Sequence, residues 1–329
     1  MGKISRAQFL KRMAVAGGVT VGGSLFTNIA LARSHAEQRD YTQFNGILFD
    51  ATKCIGCRTC EKACNLVNKL VEPGQGPAAN EALFDDTEKV YEKRRRTGYS
   101  SHTVINRFYT AGSGDAREKK ATYIKYQCMH CNRPVCVSAC IVGALKKEPD
   151  GPIHYKQSDC IGCRYCVVAC PFQIPVYEYY DAWSPAVLKC TLCEPRTKQG
   201  LLPGCVAACP METMTFGKRE ELLDLGHGLI KKYPERYHSE IYGEQVIGGT
   251  GWMYLMPNGI RSSEDLGMPL FKGMTEPIPP ITEEIQHTIF KYFIPPVLFY
   301  GTLAGILFYN EKHPKPLPKD MPEGGKGHE

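Results

Sequence analysis

Sixteen cysteines set out in four groups of four constrain this chain more than any other feature. All of them lie between Cys54 and Cys209, and residues 210–329 contain none. A disulfide scaffold is usually a shorter chain in which the cysteines are spread more evenly. The clustering therefore predicts that the cysteines bind metal, and that this region folds around the bound groups.

The spacing within the quartets follows one pattern. Two quartets read Cys-x2-Cys-x2-Cys-x3-Cys, and the other two widen only the middle gap, to four and to eleven residues. In chain order the quartets are Cys54, Cys57, Cys60 and Cys64, then Cys128, Cys131, Cys136 and Cys140, then Cys160, Cys163, Cys166 and Cys170, and finally Cys190, Cys193, Cys205 and Cys209.

This spacing is typical of [4Fe–4S] ligation. Four irons need four thiolates, and cysteines three residues apart allow one tight loop to supply three of them. Gly56 and Gly162 ease the backbone past the inorganic sulfides, and N–H groups of the loop can bond to those sulfides. In two-cluster ferredoxins the fourth cysteine of such a run ligates the other cluster. The sequence therefore predicts four [4Fe–4S] clusters, with each fourth cysteine shared with a partner quartet.

Other roles for the cysteines stay open at this stage. Structural zinc sites prefer two well-separated Cys-x2-Cys pairs, which only the fourth quartet resembles. Disulfides are an alternative for an exported protein, unless clusters are inserted before export. Covalent haem is excluded because Cys128-Met-His-Cys131 is followed by Asn132, where a haem attachment motif has histidine. The net charge of +6 is too mild to indicate a nucleic-acid partner.

Residues 1–36 have the features of an export signal. Basic residues precede a small and apolar run over residues 13–31, and two small-x-small cleavage patterns follow. The segment Ser5–Lys11 resembles the twin-arginine signal, with Ala7 in place of the second arginine. This difference leaves the export route and the cleavage open. A buried Ala/Gly-rich helix is the alternative, although the glycines would make it a poor helix.

A second apolar stretch predicts a transmembrane helix over residues 289–310. At about 1.5 Å per residue, this stretch is just long enough to cross the hydrocarbon core of a bilayer. Lysines follow in the polar tail of residues 311–329, which favours a cytoplasmic C-terminus and a main body outside. A core helix, or a helix packed against a partner subunit, is the alternative.

Residues 40–217 contain every cysteine and are predicted to form the cluster domain. Two short apolar pieces on either side of Pro149-Asp150-Gly151 predict a β-hairpin, and a similar strand is expected after Cys209. Short strands and single-turn helices around the clusters would leave little ordinary core.

Residues 218–288 are predicted to connect this domain to the membrane. The first part contains a helical patch over residues 220–232, broken by Gly226 and Gly228. The second part is rich in proline and glycine and lacks periodicity, so an extended strap is expected.

The residues around the cysteines carry a family resemblance. The segment Asp159–Pro175 resembles the four-cluster electron-transfer subunits of bacterial respiratory complexes, such as the β subunits of formate dehydrogenases and of dimethyl sulfoxide and polysulfide reductases. A narrower resemblance, over roughly residues 45–310, is to the membrane-anchored iron–sulfur subunit of the periplasmic hydrogenase-2 type. The segments that carry it are Tyr123–Cys131, Gly204–Pro210, Phe216–Glu221, Tyr242–Glu244, Gly248–Thr250 and Gln286–Thr288.

The resemblance implies an α+β fold of two ferredoxin-like units related by a pseudo-twofold axis, with a C-terminal transmembrane helix. It also implies that the first quartet exchanges ligands with the fourth, and the second with the third. One departure is Ile141, which replaces the proline usual after the second quartet. The implied ligand sets are Cys54, Cys57, Cys60 with Cys209; Cys190, Cys193, Cys205 with Cys64; Cys128, Cys131, Cys136 with Cys170; and Cys160, Cys163, Cys166 with Cys140.

The expected function is electron relay, with no substrate chemistry assigned to this chain. The four clusters would pass electrons between a periplasmic catalytic subunit, hydrogenase-type by resemblance, and a quinone-reactive integral membrane subunit. The chain would lie on the periplasmic side of the bacterial inner membrane, with its C-terminal helix in lipid. As an alternative, the same relay would serve a molybdenum or tungsten oxidoreductase or a multihaem cytochrome complex. A soluble polyferredoxin is the remaining alternative.

Overall fold

The computed structural model describes residues 41–72, 84, 89–111, 119–181, 185–258, 302, 305–309 and 312–313. The predicted export signal, the strap beyond residue 258 and most of the predicted membrane helix lie outside these residues. Residues 305–309 of that predicted helix are helical. Within the described residues, no helix has both the length and the apolar character needed to cross a bilayer.

Short elements dominate the described part of the chain, as expected for a fold organised around clusters. Turns of 3₁₀-helix add to them at Lys89–Glu92, Gln157–Asp159 and Val246–Gly248. In chain order the strands and α-helices are β1 (Asn45–Asp50), α1 (Thr59–Asn68), β2 (Thr103–Ala111), β3 (Lys119–Gln127), α2 (Val135–Ser138), β4 (Leu145–Lys147), β5 (Ile153–Tyr155), α3 (Tyr165–Ala169), β6 (Val176–Tyr177), β7 (Val187–Leu188), α4 (Glu194–Thr197), α5 (Gly204–Ala207), β8 (Met214–Lys218), α6 (Arg219–Lys232), β9 (Tyr237–Tyr242) and β10 (Trp252–Pro257).

A mixed four-stranded sheet in the order β8-β1-β10-β9 forms the centre of the fold. Strand β1 pairs with β10 in parallel and with β8 in antiparallel, and β9 pairs antiparallel with β10. Successive side chains of a strand point to opposite faces of a sheet, so each strand contributes to two layers. Leu48 and Met253 face the layer that contains α6, whereas Ile47 and Trp252 pack in the layer that contains cysteines.

This sheet provides a conventional hydrophobic core, which the sequence did not lead us to expect. The side chains of Ile47, Phe49, Trp252 and Tyr254 are fully buried. They pack with Cys60 and Cys205 in one cluster of buried side chains. The expectation of little ordinary core is therefore wrong, because strands β9 and β10 return from beyond the cysteine region to complete the sheet.

Helix α6 runs without a break from Arg219 to Lys232, so the predicted interruption at Gly226 and Gly228 is wrong. A Cβ atom on Gly226 would lie 2.6 Å from Cδ1 of Ile241 in β9. The missing side chain therefore lets the helix lie close to the sheet, and this packing offsets the low helix propensity of glycine. Acidic residues in the first turn and lysines in the last turn suit the helix dipole.

Three antiparallel hairpins complete the described fold: β2–β3, β4–β5 and β6–β7. The hairpin predicted around residues 149–151 is confirmed by β4 and β5, and the strand expected after Cys209 is confirmed by β8. Helices α2 to α5 have only four or five residues each, which also agrees with the prediction.

Candidate iron–sulfur cluster sites

The first and third quartets lie on loops with the same backbone conformation. Gly56 and Gly162 have φ angles of 75° and 71°, and Arg58 and Arg164 have φ angles of 59° and 63° just before α1 and α3. A Cβ atom on Gly56 would overlap the ring of Tyr123, and one on Gly162 would lie 2.7 Å from the Tyr177 hydroxyl. Left-handed backbone and close packing both explain why glycine occupies these two positions.

Two quartets that are far apart in the sequence share two adjacent sites. One cavity is lined by a set of cysteines that we call group I, and another is lined by group II. Group I consists of Cys54, Cys57, Cys60 and Cys209, and group II consists of Cys64, Cys190, Cys193 and Cys205. Each group combines three cysteines of one quartet with the last cysteine of the other.

The remaining cysteines form groups III and IV in the same exchanged manner. Burial raises the pKa of the Cys131 thiol, and the neighbouring Cys128 and Cys170 raise it further. Burial also raises the pKa of the Cys166 thiol to about 12, with added repulsion from Cys140, Cys163 and Cys160. Group III consists of Cys128, Cys131, Cys136 and Cys170, and group IV consists of Cys140, Cys160, Cys163 and Cys166.

Electrostatic interactions and shared packing between the groups indicate that they form a row. Burial raises the pKa of Cys60 in group I, and Cys205 of group II raises it further. Burial also raises the pKa of the Cys190 thiol in group II, and Cys128 of group III is among the neighbours that raise it further. Groups III and IV share one cluster of buried side chains. The order in space is therefore I–II–III–IV, with an exposed cysteine, Cys57 or Cys163, in each end group and none in the two middle groups.

Several sulfur atoms already accept hydrogen bonds from the chain. The backbone N–H of Ala144 donates to Cys140 Sγ over 3.2 Å, and that of Thr213 donates to Cys209 Sγ over 3.5 Å. The N–H groups of Gly162 and Leu192 donate to sulfur atoms two residues earlier, both over 3.4 Å. Such bonds stabilise negative charge on thiolates and on the clusters that they hold.

The chemistry of these cavities fits iron–sulfur clusters better than single metal ions. All sixteen cysteines lie in the described residues and none is in a disulfide. No three His, Cys, Asp or Glu side chains in that part of the chain converge closely enough to hold one ion, as a zinc site would require. The buried indole N–H of Trp252, which lines the group II cavity, lacks a hydrogen-bond partner among the described residues. A cluster thiolate or sulfide in that cavity would provide an acceptor.

A buried ion network fixes the loop of the first quartet, and sequence reasoning missed it. Glu61 lies between two cysteines on α1 and is fully buried. Its carboxylate accepts bonds from Arg95 over 2.6 and 2.9 Å, from the Nε of Arg58 over 3.2 Å, and from the backbone N–H of Ile105 over 2.6 Å. The run of basic residues at 93–96 was the only signal, and spacing alone does not pair it with a residue on α1.

Replacing Glu61 with alanine is expected to lower the free energy of unfolding by about 3–5 kcal/mol, because two guanidinium groups lose their buried counter-charge. Urea unfolding of the cluster-loaded protein, compared with the wild type, measures this change. Glu240→Ala removes an exposed carboxylate from β9 and serves as the control, with an expected change within about 0.5 kcal/mol. A loss below about 1 kcal/mol in Glu61→Ala would contradict a structural role for the network.

Comparison with known proteins agrees with this geometry. Two matches to the 4Fe-4S dicluster domain cover residues 53–144 and 119–219. Sixteen cysteines and two dicluster domains correspond to four [4Fe–4S] clusters, which identifies the class: an iron–sulfur electron-transfer protein with mixed helix and strand.

Full-length relatives define the family. The chain is 34% identical to the hydrogenase-2 operon protein HybA of Escherichia coli O157:H7, over 93% of this chain and 96% of HybA. It is 29% identical to the iron–sulfur subunit of the nitrate-inducible formate dehydrogenase of E. coli K12, over 83% and 87% of the two chains. A protein of Nitratidesulfovibrio vulgaris is 46% identical over 77% of this chain, which spans only 64% of that relative's length. The chain belongs to the family of iron–sulfur subunits that includes HybA.

Proposed function

We propose that this chain is the membrane-tethered electron relay of a periplasmic hydrogenase complex. Groups I to IV each hold one [4Fe–4S] cluster, and the chain passes single electrons between a catalytic subunit and a quinone-reactive membrane subunit. Its two ferredoxin-like units, related by a pseudo-twofold axis, occupy residues 40–217. Residues 218–257 add α6, β9 and β10 to the central sheet. The residues that follow, up to 288, lead to a membrane helix over residues 289–310, and residues 1–36 direct export.

One observation carries the relay: four cysteine groups stand in a row whose ends alone have an exposed cysteine. Electron tunnelling weakens exponentially with distance, so a relay needs closely spaced centres and an end near each partner. Groups II and III have no exposed cysteine and connect the ends. The same arrangement would be unnecessary in a protein that carried out chemistry at a single cluster.

The hydrogenase assignment is supported by HybA, which matches over 93% of this chain. Similarity to formate dehydrogenase iron–sulfur subunits over 83% of the chain supports the second candidate, in which a formate dehydrogenase is the catalytic partner. In both cases the relay and the four clusters are the same. The two candidates differ in the identity of the catalytic subunit.

Purification of the tagged full-length chain from detergent-solubilised membranes tests this proposal. We expect a hydrogenase large subunit and an integral membrane subunit to co-purify, together with hydrogen-dependent dye reduction. Formate-dependent dye reduction in the same preparation would select the second candidate. A chain that ends at residue 288 is the matched control, and it should leave the membrane fraction. Recovery of the full-length chain from the cytosol, without partners, would contradict both candidates.

A further inference from the structure

Lys125 is an unusual residue to find inside this fold. It lies on β3 with 1% of its surface exposed, and its side chain lines the group II cavity. Burying a charged ammonium is costly unless an opposite charge compensates it. No carboxylate of the described residues forms an ion pair with it, and the four charged groups that act on it most strongly are Cys205, Cys60, Cys190 and Cys64. Its natural counter-charge is therefore the thiolates of groups I and II.

The ammonium is held in place by neutral partners. Its Nζ donates to Thr103 Oγ1 over 2.6 Å and to Gln127 Oε1 over 3.2 Å. The amide nitrogen of Gln127 donates to the Tyr254 hydroxyl over 2.5 Å, which turns the amide oxygen toward the ammonium. The ring of Trp252 lies 4.3 Å from Nζ, in the geometry of a cation–π contact. These contacts fix the position of the charge without neutralising it.

Lys189, which is also buried, and the half-buried Lys147 have a different environment. Lys147 donates to the backbone carbonyls of His130 and Gly151, and Lys189 donates to those of Ile153 and Cys190. Both therefore tie separate chain segments together through carbonyl groups. Among the described residues, the Lys125 ammonium donates to no backbone carbonyl. Its two side-chain acceptors lie 3.4 Å apart, close enough to bond to each other. A neutral side chain could fill the same space, so packing alone does not require the charge.

We propose that Lys125 is a positioning residue that raises the reduction potential of the cluster held by group II and, to a smaller extent, of the cluster held by group I. One-electron reduction adds one negative charge to a cluster and its thiolates. A fixed cation in a low-dielectric interior stabilises that added charge more than it stabilises the oxidised state. Group II should respond most because Lys125 lines its cavity, and group I should follow because Cys60 is its next neighbour.

This inference rests on the ligand groups proposed above, and a redox titration tests it. The purified full-length protein is titrated while its clusters are followed by electron paramagnetic resonance, for the wild type and for Lys125→Met, Lys125→Gln and Lys125→Arg. We expect both neutral variants to lower the reduction potential of one cluster by at least about 59 mV, which corresponds to a tenfold weaker one-electron reduction. The reduction potential of a second cluster should fall by less, and the potentials of the other two clusters should stay unchanged. Lys125→Arg should stay near the wild type.

Lys231→Met is the matched control, because Lys231 is exposed on α6, in the layer of the sheet that contains no cysteine group. Neutral variants with wild-type potentials and full iron content would overturn the proposal. Loss of iron in both neutral variants, with retention in Lys125→Arg, would overturn it too, by assigning the cation to cluster assembly. A failure of the ligand groups themselves would instead appear as fewer than four clusters in the wild-type protein.

Discussion

Replacing Cys136 with alanine is expected to reduce hydrogen-dependent quinone reduction to the level found without this subunit, while hydrogen-dependent dye reduction by the catalytic subunit is retained. Cys136 is buried in group III, one of the two middle groups of the row. In the proposed relay, removing a ligand of group III interrupts the path between the end groups, and tunnelling across the gap falls exponentially with distance. Both rates are measured on the same membranes, with iron content determined in parallel.

The neighbouring Val135 provides the control for this experiment. It is the first residue of α2 and is only half-buried, so Val135→Ala should retain the cluster and at least half of the quinone activity. If Cys136→Ala kept full quinone activity after losing its cluster, group III would not lie on the electron path. Loss of dye reduction as well would point to failed assembly of the complex.

Two cysteines four residues apart, Cys205 and Cys209, should affect different clusters when each is replaced with alanine. Cys205 lines the group II cavity and Cys209 lines the group I cavity, although both belong to the last quartet. Each variant is expected to lose one of the four cluster signals almost completely, since one thiolate per iron is needed. Electron paramagnetic resonance of the reduced proteins measures which signal disappears.

The matched comparisons for this pair come from the first quartet. The spectrum of Cys209→Ala should resemble that of Cys57→Ala, and the spectrum of Cys205→Ala should resemble that of Cys64→Ala. Such a crossed pattern arises only when the two quartets exchange their fourth cysteines. Loss of the same signal in Cys205→Ala and Cys209→Ala would show instead that the last quartet binds one cluster by itself.

Local features of this fold could be predicted from the sequence, because short-range chemistry determines them. The quartet spacing predicted the clusters, and the turn residues at 149–151 predicted the β4–β5 hairpin. The spacing also predicted that each fourth cysteine is shared, whereas the choice of partner quartets came from resemblance to a family. The linings of two cavities group the cysteines of the first and last quartets in this exchanged way.

Features that depend on distant contacts could not be predicted in the same way. Strand β10 is apolar at nearly every position, and its alternation is invisible because both faces are buried. The glycine at 226 indicates a helix break unless its contact with Ile241 is known. Lys125 looks like any lysine of a polar strand, since only the folded chain places it among the cysteines of two quartets.

The proposed pairing of the first quartet with the last also limits when the group I cluster can be completed during synthesis. Group I closes a loop from Cys54 to Cys209, and the parallel pairing of β1 with β10 closes a longer one. Closing such loops carries an entropic cost that local contacts do not repay during synthesis. The group I cluster is therefore expected to be inserted only after residue 209 has left the ribosome. The proposed cluster would therefore link the first quartet to the last, and it could form only after the last quartet has been synthesised.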